Sequence, residues 1–575
     1  MDRLTALPDE LILAVIDECN SRGIAALTAS NRRLWHIAGR ALYERNISED
    51  NSSALLWAVD RGRFDTINYL FAIRRANGEI RANVDTYGTG GMFGEEWRAI
   101  ELSDLLPYQR FCTPLHIAVS QGELGMIDLL LRHGADIDGT SNRFCQCQYY
   151  GTGYNHHGLV FPPDAEPWTP LHTALCCGQQ EAALLLISRG ANLLVRRDEP
   201  GGRGITALHI AAARGMSQVV RLLVEKHFPV DVVDSSAITP MVYAARNGHG
   251  CHTTMPLLRQ LGADINVEVS NAGLRCSVPL LLNLIHAGMY AEARQAIDLG
   301  ADIAVSVPAG ASRGHTALHL CCYAQKAIAP DKYGAWKALL SRLLRDGLAA
   351  DARGADGRAP LHFAVTMGTP AAAHAINTLV DAGADVNARN NRGETPLISY
   401  CSECVEQNGF SRIGLLIERG ASVNVADNEG WTPLARVCAS ELESSSYEAA
   451  LTLLRHGADP HAMVNVRGAQ VSRRSILALC LQKRAPRLVA LVMRYGGRLH
   501  KDEDPTNELQ GIFEELAPRL TRIQARAQET MPGYERYRAR PGGDFTFEQV
   551  AFADTSLPAA VLQLMYGVSR LLNLD

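Results

Sequence analysis

Two cysteines and two histidines stand close together in the sequence, and both residue types bind zinc. Cys145 and Cys147 are followed within one short stretch by His156 and His157, which makes four ligands available for a tetrahedral site. A Cys-x-Cys pair is less usual in zinc sites than Cys-x-x-Cys, and two adjacent histidines rarely face one ion. We therefore expect no cofactor and no resident metal, and keep zinc at these four residues as the alternative.

Five further histidines recur along the chain in equivalent sequence settings: His116, His172, His209, His319 and His362. Each follows a Thr or Ala by three residues and lies far along the chain from the next one, a spacing that does not build a metal site. The glycine-rich stretch 88–94 fails as a phosphate loop, because Phe93 stands where a dinucleotide fingerprint needs glycine. No local signature of a nucleophile with its base is present, so we predict that the chain is not an enzyme.

The histidines belong to a short phrase that repeats through the chain. Thr113-Pro-Leu-His-Ile-Ala118 is its fullest copy, and a second phrase, Gly134-Ala-Asp136, follows it after about twenty residues. Threonine can cap the free amides at the start of a helix, and proline fits the first turn because it lacks an N–H. Glycine can end a helix in the left-handed conformation. Each copy therefore predicts a pair of helices followed by a hairpin loop.

These two phrases resemble the signature of ankyrin repeats. Further copies of the first phrase begin at Thr169, Thr206, Thr239, Thr316, Ala359, Thr395 and Thr432. The resemblance implies an all-α fold, in which an ankyrin-repeat solenoid of about eleven repeats covers residues 52–500. It also implies that the recurring histidine takes part in the hydrogen bonds of the turn, and that the hairpin loops line a groove that binds a protein. Residues 501–575 predict a C-terminal helical extension that caps the last repeat.

Length, charge and composition restrict the class of protein. The 575 residues exceed what one hydrophobic core holds, and 47% apolar with 20% charged residues is typical of a folded globular chain. A net charge of −5 argues against nucleic acid as a partner, and no apolar run reaches the length of a membrane span. The N-terminal stretch does not read as a secretory signal. Because the 14 cysteines are scattered, we expect reduced thiols and a location in the cytoplasm, the nucleus or both.

Residues 1–48 do not follow the repeat and resemble an F-box. Leu7-Pro-Asp-Glu-Leu11 stands where that family has its Leu-Pro-x-Glu-Leu opening. Leu27-Thr-Ala-Ser-Asn-Arg-Arg-Leu-Trp35 stands where it has an apolar, serine, basic and aromatic run. The link 20–23 departs from the family, because it reads Asn-Ser-Arg-Gly and lacks the usual Asp-Leu. An F-box-like helical module ahead of ankyrin repeats resembles a family common in fungi.

The F-box resemblance implies a function in ubiquitin transfer. F-box modules dock on the Skp adaptor of a cullin–RING ubiquitin ligase, and here the docking face would comprise Leu7, Pro8, Leu11, Ile12, Leu27 and Trp35. The repeats would hold an unidentified substrate protein, so the chain would be a substrate-recognition subunit of a Skp–cullin–F-box ligase. The alternative is an ankyrin scaffold that assembles proteins without any link to ubiquitin, its N-terminal helices acting only as a cap.

Two sets of residues are candidates for contact with the bound protein. A long insertion at 139–168 is rich in aromatics, the usual anchors of protein interfaces: Phe144, Tyr149, Tyr150, Tyr154 and Trp168. The hairpin tips supply the second set: Asn390, Asn391, Asp427, Asn428 and Trp431. The alternatives are a surface loop packed on itself for the insertion, and ordinary turn chemistry for the tip residues.

Overall fold

The chain is seen in a computed structural model that describes residues 43–44, 46–47, 52–73, 82–89, 98–100, 111–141, 168–193 and 205–499, the last range with gaps at 235, 324–327, 369, 404–409, 441–442 and 468–470. These residues form twenty-two helices and six short strands. They belong to two compact units: unit 1 is drawn from residues 1–269 and 298–301, and unit 2 from residues 270–297 and 302–575. Within the described ranges, no helix is both long and apolar enough to cross a membrane.

One helix pair shows how the repeated phrase folds. Thr113 has an extended backbone and caps α3 (Pro114–Gln121), which has proline in its first turn. Gly122 ends α3 with φ of 75°, and the chain turns directly into α4 (Leu124–Arg132). Gly134 follows α4 with φ of 87°. Both glycines adopt a left-handed conformation that side chains disfavour, so they separate the two helices and then release the chain into the hairpin loop.

The described part of unit 1 contains five such pairs. Besides α3 and α4, the helices are α1 (Ser53–Asp60), α2 (Phe64–Ala72), α5 (Pro170–Cys177), α6 (Gln180–Ser188), α7 (Ala207–Arg214), α8 (Ser217–Glu225), α9 (Pro240–Arg246) and α10 (Gly248–Gln260). The first helices of successive pairs pack on one another in the order α1, α3, α5, α7, α9, and the second helices α4, α6, α8 and α10 do the same. Leu115, Leu171 and Leu208 are fully buried, so the leucine of the repeated phrase forms the core.

The described part of unit 2 contains six pairs. Its helices are α11 (Leu280–His286), α12 (Tyr290–Asp298), α13 (Ala317–Cys322), α14 (Pro330–Arg345), α15 (Pro360–Ala364), α16 (Ala371–Asp381), α17 (Pro396–Glu403), α18 (Phe410–Glu418), α19 (Pro433–Cys438), α20 (Glu443–Arg455), α21 (Ile476–Gln482) and α22 (Pro486–Arg494). The first helices α11, α13, α15, α17, α19 and α21 stack in order, and so do the second helices from α14 to α22. Trp336 of α14 is fully buried, and its Nε1 donates to the carbonyl oxygen of Cys321 at 3.0 Å.

Three two-stranded sheets depart from the predicted all-α fold. Their strands are β1 (Tyr87–Thr89), β2 (Arg98–Ile100), β3 (Glu268–Asn271), β4 (Cys276–Pro279), β5 (Met463–Arg467) and β6 (Val471–Ser475). Each strand pairs with its neighbour along the chain, and both β1–β2 and β5–β6 are antiparallel. Every sheet lies between the second helix of one pair and the first helix of the next. The fold is therefore mostly helical, as predicted, with sheets confined to lengthened connecting loops.

The predicted modules at the two ends are not covered by the described residues. Of residues 1–48, only 43–44 and 46–47 are described, and these four are helical. All of residues 501–575 lie outside the described ranges. The F-box-like module and the C-terminal helical cap therefore stay predictions.

Candidate partner-binding site

The recurring histidine ties the start of one helix pair to the loop that leads into the next pair. Oγ1 of Thr113 donates to Nδ1 of His116 at 2.8 Å, and Nε2 of His116 donates to the carbonyl oxygen of Trp168 at 2.9 Å. A carbonyl oxygen can only accept, so the hydrogen bonds place the ring proton on Nε2. The same bond from Nε2 joins His209, His319 and His362 to the carbonyl oxygens of Ile238, Arg358 and Glu394, at 3.0, 3.0 and 3.1 Å.

Burial keeps these imidazole rings neutral. Removal from water lowers the pKa of both His116 and His319 to about 4, although the bond to the carbonyl oxygen opposes the change. The same cause lowers the pKa of His172 to about 3. Buried neutral rings do not exchange a proton near neutral pH. In His116, His209, His319 and His362 the hydrogen bonds also occupy both ring nitrogens, which leaves none for a metal. The histidine row therefore belongs to the fold, and the surface that meets a partner must be sought elsewhere.

The hairpin tips of unit 2 are hydrogen-bonded to one another in a tip ladder. Its rungs are backbone bonds, in which the amides of Ala355, Asn391, Asn428 and Asn465 donate to the carbonyl oxygens of Arg313, Asp356, Arg392 and Glu429 at 2.9, 3.0, 2.9 and 3.1 Å. The side-chain amides of Asn391 and Asn428 add bonds of 2.8 and 3.0 Å to the carbonyl oxygens of Ala355 and Asn391. Successive tips are thus held in a fixed register, which gives this edge of unit 2 a defined shape.

Two of the predicted contact residues, Asn390 and Asp427, are buried inside their turns. Oδ1 of Asn390 accepts from two backbone amides at 2.9 and 3.0 Å, and Oδ1 of Asp427 accepts from two at 2.9 and 2.8 Å. Turn chemistry uses these polar groups, so the prediction that they face a partner is corrected. Asn391 and Asn428 are exposed, although the side chain of each also donates a hydrogen bond to the preceding tip.

Trp431 lies half-buried beside the tip ladder and rests on a cluster of charged groups. The guanidinium of Arg436 is 4.7 Å from the centre of its indole ring and donates to Oδ2 of Asp427 at 2.6 Å. The buried carboxylate of Glu394 is 3.7 Å from the same guanidinium. A cation against one face of the ring, itself held by two carboxylates, favours this orientation of the indole. We call these four residues the tryptophan platform.

The tryptophan platform occupies the position at which other helix pairs have the histidine that bonds to the following loop. The phrase that opens α19 has alanine in the histidine position, and Arg436, the next residue, reaches back to Asp427. In unit 1 the phrase that opens α9 has valine there, and Oη of the next residue, Tyr243, donates to Asp234 at 2.9 Å. Arg436 and Glu394 were not among the contact residues predicted from the sequence. A missing histidine followed by a polar side chain is the signal that would have found Arg436.

Comparison with known proteins identifies the repeated helix pairs. Three segments, residues 102–197, 192–269 and 370–464, match the family model described as ankyrin repeats. The chain carries ankyrin repeats. The human protein "Ankyrin repeat and SOCS box protein 16" is 31% identical over 245 residues, which cover 41% of this chain and 48% of that protein. The Arabidopsis thaliana protein "E3 ubiquitin-protein ligase KEG" is 23% identical over 362 residues, which cover 61% of this chain and 18% of that protein. The chain thus spans less than half the length of either relative.

Of the aromatic residues predicted in the insertion, only Trp168 lies among the described residues. It is buried, its amide donates to the carbonyl oxygen of Ser141 at 2.7 Å, and its ring lies 4.7 Å from that of His172. Its own carbonyl oxygen accepts the hydrogen bond from Nε2 of His116 in the preceding ankyrin repeat. Trp168 is therefore part of the repeat stack and not the exposed anchor that its residue type suggested. The other four, Phe144, Tyr149, Tyr150 and Tyr154, lie outside the described residues.

The described ankyrin repeats contain no group of three or more His, Cys, Asp or Glu side chains that could hold a metal ion. The four zinc candidates, Cys145, Cys147, His156 and His157, lie outside the described residues, as do all six F-box-like docking residues. Burial raises the pKa of both Cys176 and Cys322 to about 12, so these thiols stay protonated in the repeat core.

Proposed function

We propose that this chain is a substrate-recognition subunit of a Skp–cullin–F-box ubiquitin ligase. Ankyrin repeats imply protein partners, and the opening Leu7-Pro-Asp-Glu-Leu11 supplies a docking segment for the Skp adaptor. A relative from Arabidopsis thaliana is by name an E3 ubiquitin-protein ligase, which supports a link to ubiquitin. In this proposal the N-terminal module binds the ligase, and the repeats select the substrate.

The tip ladder with its tryptophan platform is the observation that carries the recognition half of the proposal. Interface anchors are commonly aromatic or arginine side chains, and an anchor that is rigid before binding loses little entropy on binding. Trp431 is partly exposed and already held by Arg436. The edge around it is fixed by the ladder, which suits the binding of a protein segment along several tips.

Co-purification of the full chain with the Skp adaptor tests the docking half. We expect the wild-type chain to recover the adaptor, and the variant Leu7→Ala/Pro8→Ala/Leu11→Ala to lose it, because the apolar docking face is removed. A matched control changes three other residues of the same module, Thr5→Ala/Asn20→Ala/Arg22→Ala, and should recover the adaptor normally. Recovery by the first variant at the wild-type level would refute docking through this face.

A second candidate function is an ankyrin scaffold with no ubiquitin link, its N-terminal helices acting only as a cap. The observation that favours it is the Asn-Ser-Arg-Gly link at 20–23, which departs from the F-box pattern. A full chain that recovers no Skp adaptor, but loses its protein partners on Trp431→Ala, would decide for this scaffold. Trp57→Ala is the control, because Trp57 is an exposed tryptophan of unit 1.

We also propose that the chain is non-catalytic and acts in the cytoplasm or nucleus. Neutral buried histidines and protonated buried cysteines support the first part, since neither supplies a nucleophile or an exchangeable proton. A fluorescent fusion of the full chain tests the second part, and an exclusively secreted or membrane-bound signal would contradict it.

A further inference from the structure

Four exposed arginines lie on three successive tips of unit 2, the last two on the same tip: Arg313, Arg353, Arg389 and Arg392. The backbone of Arg313 pairs with the tip that follows Arg353, and the backbone of Arg392 pairs with the next tip along. The tip ladder therefore sets these side chains along one edge of the unit. We call them the arginine row.

Two members of the arginine row are held in place by the backbone of the neighbouring tip. Nη1 of Arg353 donates to the carbonyl oxygens of Gly357 and Arg389 at 3.1 and 2.6 Å. Nη2 of Arg389 donates to the carbonyl oxygen of Ala426 at 2.9 Å. Each guanidinium has five N–H donors, so both keep donors for a further partner. Carbonyl oxygens fix the orientation of the two forks but leave their charges unneutralised.

Three carboxylates of the same edge have partners outside the arginine row. Asp356 lies 3.5 Å from Arg358 and 3.7 Å from His315. Glu394 and Asp427 are buried members of the tryptophan platform and face Arg436. Among the described residues, no carboxylate lies within 4.0 Å of a guanidinium of the arginine row. The row thus presents four guanidiniums that have no ionic partner in the described part of a chain whose net charge is −5.

We propose that the arginine row binds an acidic, extended segment of a partner protein, with side-chain carboxylates placed against successive guanidiniums. The inference deepens the proposed function, because it names the chemistry of the segment that the repeats would recognise. Guanidinium forks match carboxylates in bidentate geometry, and forks that are already oriented lose less entropy on binding. Nucleic acid is the poorer match, because four charges on a chain of negative net charge neutralise few phosphates.

Fluorescence anisotropy with the full chain tests the proposal. The probe is a short fluorescein-labelled peptide in which Glu alternates with Ser, and its matched control has Gln in place of every Glu. Arg313 and Arg392 have no side-chain hydrogen bond or ion pair among the described residues, so Arg313→Glu/Arg392→Glu reverses two charges and leaves the ladder intact. We expect this variant to weaken binding of the acidic peptide by about tenfold or more, and the Gln peptide to bind weakly to both chains.

Arg345→Glu is the matched control variant, because it reverses an exposed charge on α14 of the same unit, away from the tips. It should leave the affinity for the acidic peptide unchanged. The affinity of Arg313→Gln/Arg392→Gln should lie between those of the wild type and the double reversal. Equal weakening by Arg345→Glu, or no binding of the acidic peptide, would overturn the proposal. So would tighter binding of a single-stranded DNA oligonucleotide than of the peptide. Because the double reversal leaves residues 1–48 unchanged, recovery of the Skp adaptor separates failure of this inference from failure of the proposed function.

Discussion

Replacing Asp427 by alanine should loosen the tryptophan platform more than any exposed change on the same tip. The carboxylate accepts two backbone amides of its own turn at 2.9 and 2.8 Å and the Arg436 guanidinium at 2.6 Å. Its side chain is only 2% exposed, so water cannot replace these partners fully. The substitution removes all three bonds and leaves Arg436 facing Glu394 alone, 3.7 Å away.

The expected cost of Asp427→Ala follows from these contacts. Removing one partner of a buried, hydrogen-bonded ion pair costs about 3 to 5 kcal/mol. We take about 3 kcal/mol, because Arg436 is a quarter exposed and keeps Glu394 as a partner. Asn428→Ala removes one exposed side-chain bond of 3.0 Å from the same tip, which costs about 0.5 to 1 kcal/mol. Asp427→Asn keeps an acceptor for the turn and loses the charge, so its loss of stability should lie between those of Asp427→Ala and Asn428→Ala.

Hydrogen–deuterium exchange of the segment from Asp427 to Cys438 measures the effect locally. A loss of about 3 kcal/mol corresponds to exchange faster by about a hundredfold, since 1.4 kcal/mol is tenfold. Local exchange is the better readout, because long repeat arrays need not unfold in one step. The reasoning would be refuted if Asp427→Ala and Asn428→Ala raised the exchange rates equally, or if neither changed them.

Three further outcomes follow from buried groups. Burial lowers the pKa of His116 from 6.5 to about 4, so the unfolded chain binds the proton more tightly than the folded chain does. The stability that the neutral ring contributes above about pH 6.5 is therefore lost as the pH falls, by about 2 kcal/mol at pH 5. As the pH is lowered, the urea midpoint of His116→Asn should fall less steeply than that of the wild type, and identical slopes would contradict this. Trp336→Ala should lower the free energy of unfolding by about 3 to 5 kcal/mol in thermal melts, since the ring is fully buried. Trp57→Ala should change it by no more than about 1 kcal/mol in the same measurement. A thiol reagent should modify half-buried Cys276 in the folded chain and spare buried Cys321, because burial raises the pKa of Cys321 well above its usual value. Equal rates of modification at the two cysteines would contradict the burial of Cys321.

The ankyrin repeats could be predicted because their signals are local. A threonine cap, a proline in the first turn and a left-handed glycine act within a few residues, and Thr113 and Gly134 adopt the predicted conformations. The family match confirms the repeats in three segments. The short sheets were missed because their strands lie in connecting loops, where pairing depends on a neighbouring segment and not on a periodic pattern.

The candidate site was less predictable, because its contacts join residues of different repeats. Asn390 and Asp427 looked like exposed tip residues, since polar side chains are usually at the surface. Each satisfies two backbone amides of its own turn and is therefore buried. Arg436 touches Glu394 only after α17 and α19 pack side by side. The sequence separation of that pair carries no signal, so a single sequence could not reveal it.

Quantitative affinity purification of the full chain with two variants tests the central claim most directly, because an adaptor must have two separable binding ends. We predict that Leu7→Ala/Pro8→Ala/Leu11→Ala loses the Skp adaptor and keeps the proteins bound by the repeats. We predict the reverse for Trp431→Ala, with Trp57→Ala behaving as wild type. Loss of both classes of partner in one folded variant, or of neither class in both variants, would contradict the account.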